Sequence, residues 1–280
     1  MEKDLKPKIS IRDGCFAHAV ALGSGDFNWP PDYFNYDRSK KWRKVCLFTD
    51  QAILEDVVDK SKSKINIGWV IEPYSVSQSV YNKLIDKNTY SKYDLILTHN
   101  KELCEYNPDV FKFYPFGGCW IQKRNRKLHK KTKYMSIIAS SKKMTYGHKL
   151  RHEIIHGLSG FDIYGNGYSY IKRKEEALID YGFSIVIEND NNEYFFSEKL
   201  IDCLITGTIP IYWGADISSF FDMRGFILFK DMEELRYKST LITNETYNSV
   251  FPIIKDNFKR AKLYTCPENW IYKNVLQNIL

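Results

Sequence analysis

The sequence predicts an α/β fold built from two parallel-sheet units in succession, and three stretches carry that prediction. From Tyr181 to Gly214 there follow a buried strand (Phe183 to Ile187), a polar loop (Glu188 to Glu193), a helix opening at Ser197, and a second buried strand (Thr208 to Trp213). Val45 to Ile71 repeats the order, with VCLFT and INIGWVI as strands around a helix from about Gln51 to Lys60. Tyr134 to Gly165 gives a third copy: strand YMSIIA, loop SSKKMTYG, a helix from about His148 to Leu158, and strand FDIYG. Strand, helix and strand in that order imply parallel pairing, and in open parallel sheets ligands gather beyond the carboxyl ends of the strands.

The remaining elements fit around these. Residues 1 to about 40 read as irregular, with turn-rich DFNWPPDYFNYD between Asp26 and Asp37, where Trp29, Tyr33, Phe34 and Tyr36 form either a sugar platform or a packed loop. A helix from about Ser77 to Asn88 leads to strand YDLILT and His99, and FKFYPFGGCW supplies a last strand and a Gly-Gly turn. The division falls near 128/129, giving units 1–128 and 129–280. After Trp213 come a short helix (Asp216 to Phe221), an edge strand (Gly225 to Phe229), a helix over Thr243 to Leu263, and a terminal helix from Cys266 that crosses back onto the first unit.

Composition excludes several classes. The 280 residues are 44% hydrophobic and 27% charged, which suits two packed domains and not a disordered chain. No run of 18 apolar residues occurs and MEKDLKPKISIRDG has no signal-peptide core, so the expectation is a cytoplasmic protein. Six cysteines are scattered without a CxxC pair and read as reduced, mostly buried thiols. The net charge of +7 comes from seven basic residues between Lys123 and Lys133; without them 34 basic face 34 acidic residues. That argues against a nucleic-acid partner and leaves this segment as a solvated linker, with at most peripheral membrane contact.

Chemistry concentrates at the start of the helix after Glu193. Ser197 is a good N-cap and Glu198 is favoured by the helix dipole, whereas Lys199 is disfavoured there unless an anion lies in front of it. Ser-Glu-Lys after a buried strand therefore reads either as a phosphate site or as a first turn whose lysine points into water. Arg151 lies beside the apolar stripe of Leu150, Ile154, Ile155 and Leu158 on its own helix and suits bidentate binding of a diphosphate or an internal carboxylate.

NDNNEYFFSEKLID followed by GTIPIYWG resembles the donor-site signature of glycosyltransferase family 10, the α1,3/α1,4-fucosyltransferases. The family pattern runs F-E-N, a spacer, Y-x-T-E-K and a P-I/V-Y/V-W/Y-G strand. Here Ile187 stands for the Phe, and the tyrosine expected three residues before Glu198 is Phe195, with Tyr194 one place earlier. The resemblance implies a GT-B architecture, two Rossmann-like α/β/α domains facing across a cleft. It implies an inverting transferase moving fucose from GDP-fucose to a hydroxyl of an acceptor glycan, of the bacterial or viral kind. By the same resemblance Glu72, before Pro73 at a strand end, is the general base, and Glu198 and Asn189 serve the sugar or ribose. Arg151, Lys199, Tyr194, Phe195, Ser197 and Ser140 are the donor-binding set.

Three alternatives accompany this reading. The first keeps the fold with another nucleotide-sugar donor, because Phe195 lacks a hydroxyl. The second is a zinc hydrolase: His152-Glu153-Ile154-Ile155-His156 is a literal H-E-x-x-H, with Glu175 or Glu176 as third ligand. The third is a non-catalytic glycan or nucleotide-sugar binding module. No Asp-x-Asp follows a strand to hold a metal-bound nucleotide, so no cofactor or obligatory metal is expected, the charge of Arg151 and Lys199 taking that role.

Overall fold

A computed structural model describes residues 6–14, 20–23, 29–55, 57–191 and 194–280. They divide into two compact units. The first takes the described residues of Met1–Phe116, Asn192–Phe195 and Cys266–Leu280; the second takes those of Gly117–Asn191 and Phe196–Thr265.

The first unit is a parallel sheet of six strands: β1 (Lys8–Arg12), β2 (Asn35–Asp37), β3 (Val45–Thr49), β4 (Ile65–Trp69), β5 (Leu95–Thr98) and β6 (Phe111–Phe113). Their spatial order is β2-β1-β3-β4-β5-β6. All five residues of β3 are buried, as a strand covered on both faces requires. Its side chains alternate accordingly: Val45 and Leu47 join Ile9, Ile11, Ile67, Trp69 and Leu97 on one side. Cys46 and Phe48 join Ile96, Val80, Tyr81 and Leu84 on the other.

Four helices connect these strands: α1 (Ala52–Glu55), α2 (Tyr74–Leu84), α3 (Lys87–Tyr90) and α4 (Lys101–Tyr106). The helix expected over 51–60 is described over Ala52–Glu55, and residues 57–59 are not helical. Asp59 accepts from the Ser61 amide and hydroxyl and pairs with Lys62, a local turn that competes with helix. The helix expected from Ser77 begins at Tyr74, directly after Pro73, bends at Ser77, and ends before Asp86 caps α3.

The amino-terminal stretch is less irregular than its composition suggests, because β1, with Ile9 and Ile11 buried, pairs between β2 and β3. The aromatic platform is a packing feature instead. Phe34 is fully buried, Tyr33 stacks on Tyr272 at 4.3 Å, and the Tyr36 hydroxyl bonds to Glu268, so these rings seat the carboxyl-terminal segment. The expectation for 26–28 falls outside the described residues. In the last expected strand only Phe111–Phe113 pairs, since Pro115 has no amide hydrogen to offer the ladder.

The second unit is a five-stranded parallel sheet of β7 (Lys133–Ile138), β8 (Asp162–Tyr164), β9 (Tyr181–Ile187), β10 (Ile209–Trp213) and β11 (Ile227–Leu228), in the order β11-β10-β9-β7-β8. Its helices are α5 (Tyr146–Gly157), α6 (Glu198–Leu204), α7 (Met232–Thr240), α8 (Asn244–Ser249) and α9 (Phe251–Ala261). β9 is buried along its whole length at the centre. Gly207, at φ +74°, makes the left-handed turn between α6 and β10.

Several boundaries differ from the expectation. Residues 216–221 form a turn; α7, capped by Asp231, was not foreseen although Asp231-x-x-Glu234 is a capping pattern. The single helix over 243–263 is two, because Pro252 fits only a first turn and so opens α9. The terminal helix is α10 (Pro267–Ile271), which runs into a wider turn over Tyr272–Leu276.

The basic segment is not a uniformly solvated linker. Lys131 donates to the carbonyls of Leu178, Ile179 and Thr206 and to Thr208 Oγ1, at 2.8–3.2 Å. Arg126 bonds the Ile121 carbonyl, and Lys133 lies over the Tyr181 ring. Carbonyls released where strands and turns end need donors, and Lys131 and Arg126 supply them. Among the described residues no helix is long and apolar enough to cross a membrane.

Candidate functional site

The carboxyl end of the second sheet brings three segments to one place: the start of α5, the loop after β9, and the start of α6. Thr145 caps α5 through the His148 amide, and His148 Nδ1 meets the Thr145 hydroxyl at 2.7 Å. This box starts the helix at Tyr146, two residues earlier than the apolar pattern predicts. Gly147 is what allows the start of α5 to touch the loop. A Cβ there would lie 1.8 Å from the Glu188 carbonyl oxygen.

Arg151, one turn into α5, is 5% exposed. Its Nε and Nη2 donate to the Ile187 carbonyl at the end of β9, and Nη2 also reaches Asn189 Oδ1 at 3.2 Å. Those bonds fix the guanidinium plane, and no hydrogen bond of Nη1 occurs among the described residues. Burial pulls the basicity of Arg151 down, while Glu188 and Glu198 support its charge. An arginine so held stays cationic. Burial, followed by the charges of Arg151 and Lys199, lowers His148 to about 4, so its imidazole is neutral at neutral pH.

Glu188 was not singled out from the sequence, yet it organises the loop. Fully buried, it accepts from the Ser197 amide (2.9 Å) and the Ser197 hydroxyl (2.6 Å). Lys199 Nζ lies 2.9 Å from Ser197 Oγ, 3.6 Å from Glu188 and 3.7 Å from Glu198. The position of Glu188 between Ile187 and Asn189 in the family pattern was the available signal. Lys174 had none, being one cation in the run KRKEE. It pairs with Glu198 at 3.1 Å and Asp202 at 2.9 Å and lies 4.2 Å from the Trp120 ring centre. Burial alone would raise the Glu198 carboxyl, but Lys174 and Lys199 outweigh it and bring it to about 2.

α6 is only seven residues long, and the Ser197 and Lys199 amides are already taken by Glu188 and the Ser197 hydroxyl. Positive charge at this end therefore comes from the Lys199 ammonium more than from free helix amides. Ser140 follows β7 at the same sheet end, half-buried. Tyr146, 60% exposed, packs on Trp213 at 5.2 Å beside these groups.

Three of the sequence-derived residues lie in the first unit. Tyr194, at φ +66°, packs its ring against Phe113 at 5.5 Å. Phe195 is 2% exposed in the apolar core, 4.9 Å from the His99 ring. Glu72 follows the end of β4, half-buried. Its amide donates to Asp50 Oδ1 and its carbonyl accepts from the Tyr81 hydroxyl.

The zinc reading is overturned by the positions of its ligands. His152 has both ring nitrogens engaged, Nε2 with the Lys142 carbonyl and Nδ1 with the Tyr168 hydroxyl. Glu175 accepts from Gln122 and Asn125, and Glu176 from the Arg173 amide. Among the described residues no group of three His, Cys, Asp or Glu side chains is arranged to hold a metal ion.

Known proteins share this fold and part of this sequence. The fold is that of solved fucosyltransferases. A crystal structure of an α1,3-fucosyltransferase is matched over 100% of this chain and 93% of that one, with a TM-score of 0.54 and 15% identity. A crystal structure of α1,3-fucosyltransferase with GDP-fucose is matched over 95% and 92%, with a TM-score of 0.52 and 16% identity. These likenesses show the fold, two parallel α/β sheets with helices, as the sequence predicts. Residues 127–258 match glycosyltransferase family 10 (fucosyltransferase) C-term. A 68-residue stretch is 35% identical to the α-(1,3)-fucosyltransferase FucT of Helicobacter pylori; it makes up 24% of this chain and 14% of that relative. The chain thus matches about one seventh of the length of the curated relative.

Proposed function

We propose that the protein transfers fucose from GDP-fucose to a hydroxyl of an acceptor glycan by single displacement, with inversion at the anomeric carbon. The observation that carries this reading is Arg151, pinned through Nε and Nη2 to Ile187 and Asn189 with Nη1 left for an anion, beside Lys199 in the segment that matches family 10. A departing nucleoside diphosphate needs fixed positive charge that requires no reorganisation during reaction, and Arg151 with Lys199 supplies it. Glu188 and Ser197 hold the Lys199 ammonium in place. Asn189 and Glu198 face the ribose or the oxocarbenium-like sugar.

Glu72 of the first unit is the general base. It takes the proton of the acceptor hydroxyl as the new C–O bond forms and the bond to the β-phosphate oxygen breaks, with GDP leaving as the anion. Two side-chain cations do the neutralising, so the reaction proceeds without an obligatory metal. The protein works as a cytoplasmic enzyme on a soluble or membrane-presented glycan.

The test is GDP release by the purified, chelator-treated chain from GDP-fucose, beside GDP-mannose and UDP-sugars, with mixed simple acceptors. Release from GDP-fucose alone is the expected result. A second reading keeps the fold with another nucleotide sugar, and release from a different donor in the panel selects it. Absence of both release and nucleotide binding overturns both readings.

A further inference from the structure

The carboxyl ends of four neighbouring strands in the first unit gather titratable side chains: Asp13 after β1, Asp50 after β3, Glu72 after β4 and His99 after β5. Asp50 is the unusual member. It is 2% exposed, its backbone lies in the left-handed region at φ +41°, and its amide bonds the Trp69 carbonyl at the end of β4. An aspartate there is strained, and such strain persists only where the surroundings enforce it. Oδ1 accepts from the Ile71 amide (2.9 Å) and the Glu72 amide (3.1 Å). Oδ2 is buried without a hydrogen-bond partner among the described residues.

The other side of the Glu72 backbone is fixed too. The Tyr81 hydroxyl of α2 donates to the Glu72 carbonyl at 3.0 Å and lies 3.2 Å from His99 Nε2. Having one proton to give, that hydroxyl accepts from the imidazole, which makes Nε2 the protonated nitrogen of His99. Asp13 accepts from the Thr49 hydroxyl and pairs with Arg38 at 3.2 Å, so its charge has a partner. Asp50 and Glu72 share one backbone clasp, and among the described residues no cation is bonded to Asp50.

We propose that Asp50 is the positioning residue of Glu72: Oδ1 fixes the Ile71–Glu72 segment, and Oδ2 keeps a proton, so that Glu72 is the carboxylate that carries the charge. This rests on the reading of Glu72 as general base. Two like charges cannot both be held without solvent, and the more deeply buried group is the one that stays neutral. Burial first, then the charges of Glu72 and Asp13, raise the Asp50 carboxyl to about 7. The groups that face it are Glu72 from the end of β4 and Asp13 from the end of β1, with His99 reached through Tyr81.

Asp50→Asn separates the two halves of the role, because the amide oxygen still accepts both backbone bonds while the proton can no longer be lost. Transfer between pH 5 and 9 and thermal unfolding between pH 4 and 8 are measured on the full chain for wild type, Asp50→Asn, Asp50→Ala and Glu72→Gln. The wild-type pH–rate profile is expected to carry an inflection near pH 7 that Asp50→Asn lacks. Relative to Asp50→Asn, wild type loses stability as pH rises from 4 to 7, and in Glu72→Gln that loss moves to lower pH. Asp50→Ala, which frees the clasp, lowers kcat more than tenfold with donor KM within threefold. Identical pH dependence of rate and stability in wild type and Asp50→Asn overturns the proposal. Full transfer by Glu72→Gln overturns the general-base reading instead, and the unfolding series still decides whether Asp50 and Glu72 are coupled.

Discussion

In the proposed function Arg151 serves structure and ligand at once. Nε and Nη2 satisfy the carbonyl that β9 releases at Ile187, and the same bonds aim Nη1. Arg151→Ala and Arg151→Lys should therefore both weaken donor binding more than tenfold, since an ammonium cannot anchor and present a second face together. Titration calorimetry with GDP reads this, and unchanged affinity would remove Arg151 from the site. Lys199→Ala should cost donor affinity by a similar factor and also lower the melting temperature, because the buried Glu188 would lose the ammonium that lies 3.6 Å from it. Glu72→Gln keeps the backbone clasp to Asp50 and Tyr81. It should bind GDP-fucose as wild type does and lose transfer.

At the scale of elements, the approach of α5 to the loop after β9 holds Arg151 near Asn189. Gly147 permits that approach. In Gly147→Ala the new methyl meets the Glu188 carbonyl at 1.8 Å, so α5 must withdraw. The expected cost is on the order of 1–3 kcal/mol of stability, with donor affinity falling more than tenfold. Wild-type unfolding and binding by this variant would show that the contact is not tight in solution. The elements most legible in the sequence were those with one cause. β3, β9 and β10 are short apolar runs between turns, and Ser197 and Gly207 mark the two ends of α6. Where two local causes compete the pattern misleads: the Asp59 turn shortens α1, Thr145 and His148 start α5 early, and Pro252 splits the helix over 243–263.

Over the whole molecule, two buried groups give stability opposite dependences on pH. His148 in the second unit is lowered to about 4, so the unfolded chain binds its proton more readily; the stability this group contributes is present above about 6.5 and lost as pH falls through 4. Asp50 in the first unit is raised to about 7, so its contribution is present below about 3.9 and lost as pH rises through 7. Between pH 4 and 6.5 the two slopes oppose each other. Unfolding scans of His148→Gln should show stability falling more steeply with rising pH than in wild type, and Asp50→Asn should show the reverse. Parallel curves for all three proteins would mean that neither group titrates in that window.

The sequence by itself determined the parallel α/β class, the βαβ unit from Tyr181 to Gly214, and the resemblance that singled out Arg151, Asn189, Ser197, Glu198 and Lys199. Each of these rests on residues near one another in the chain, where hydrophobic period, capping residues and motif spacing act locally. Tertiary structure alone decided the partners. That Glu188 is the buried counter-ion of Lys199, that Lys174 holds Glu198, that Phe195 belongs to a core, and that Asp50 clasps Glu72 all depend on contacts across 9 to 96 residues. No local pattern records such pairings. Burial converts a surface charge into one that needs a named partner, and only the packed chain fixes what is buried and beside what.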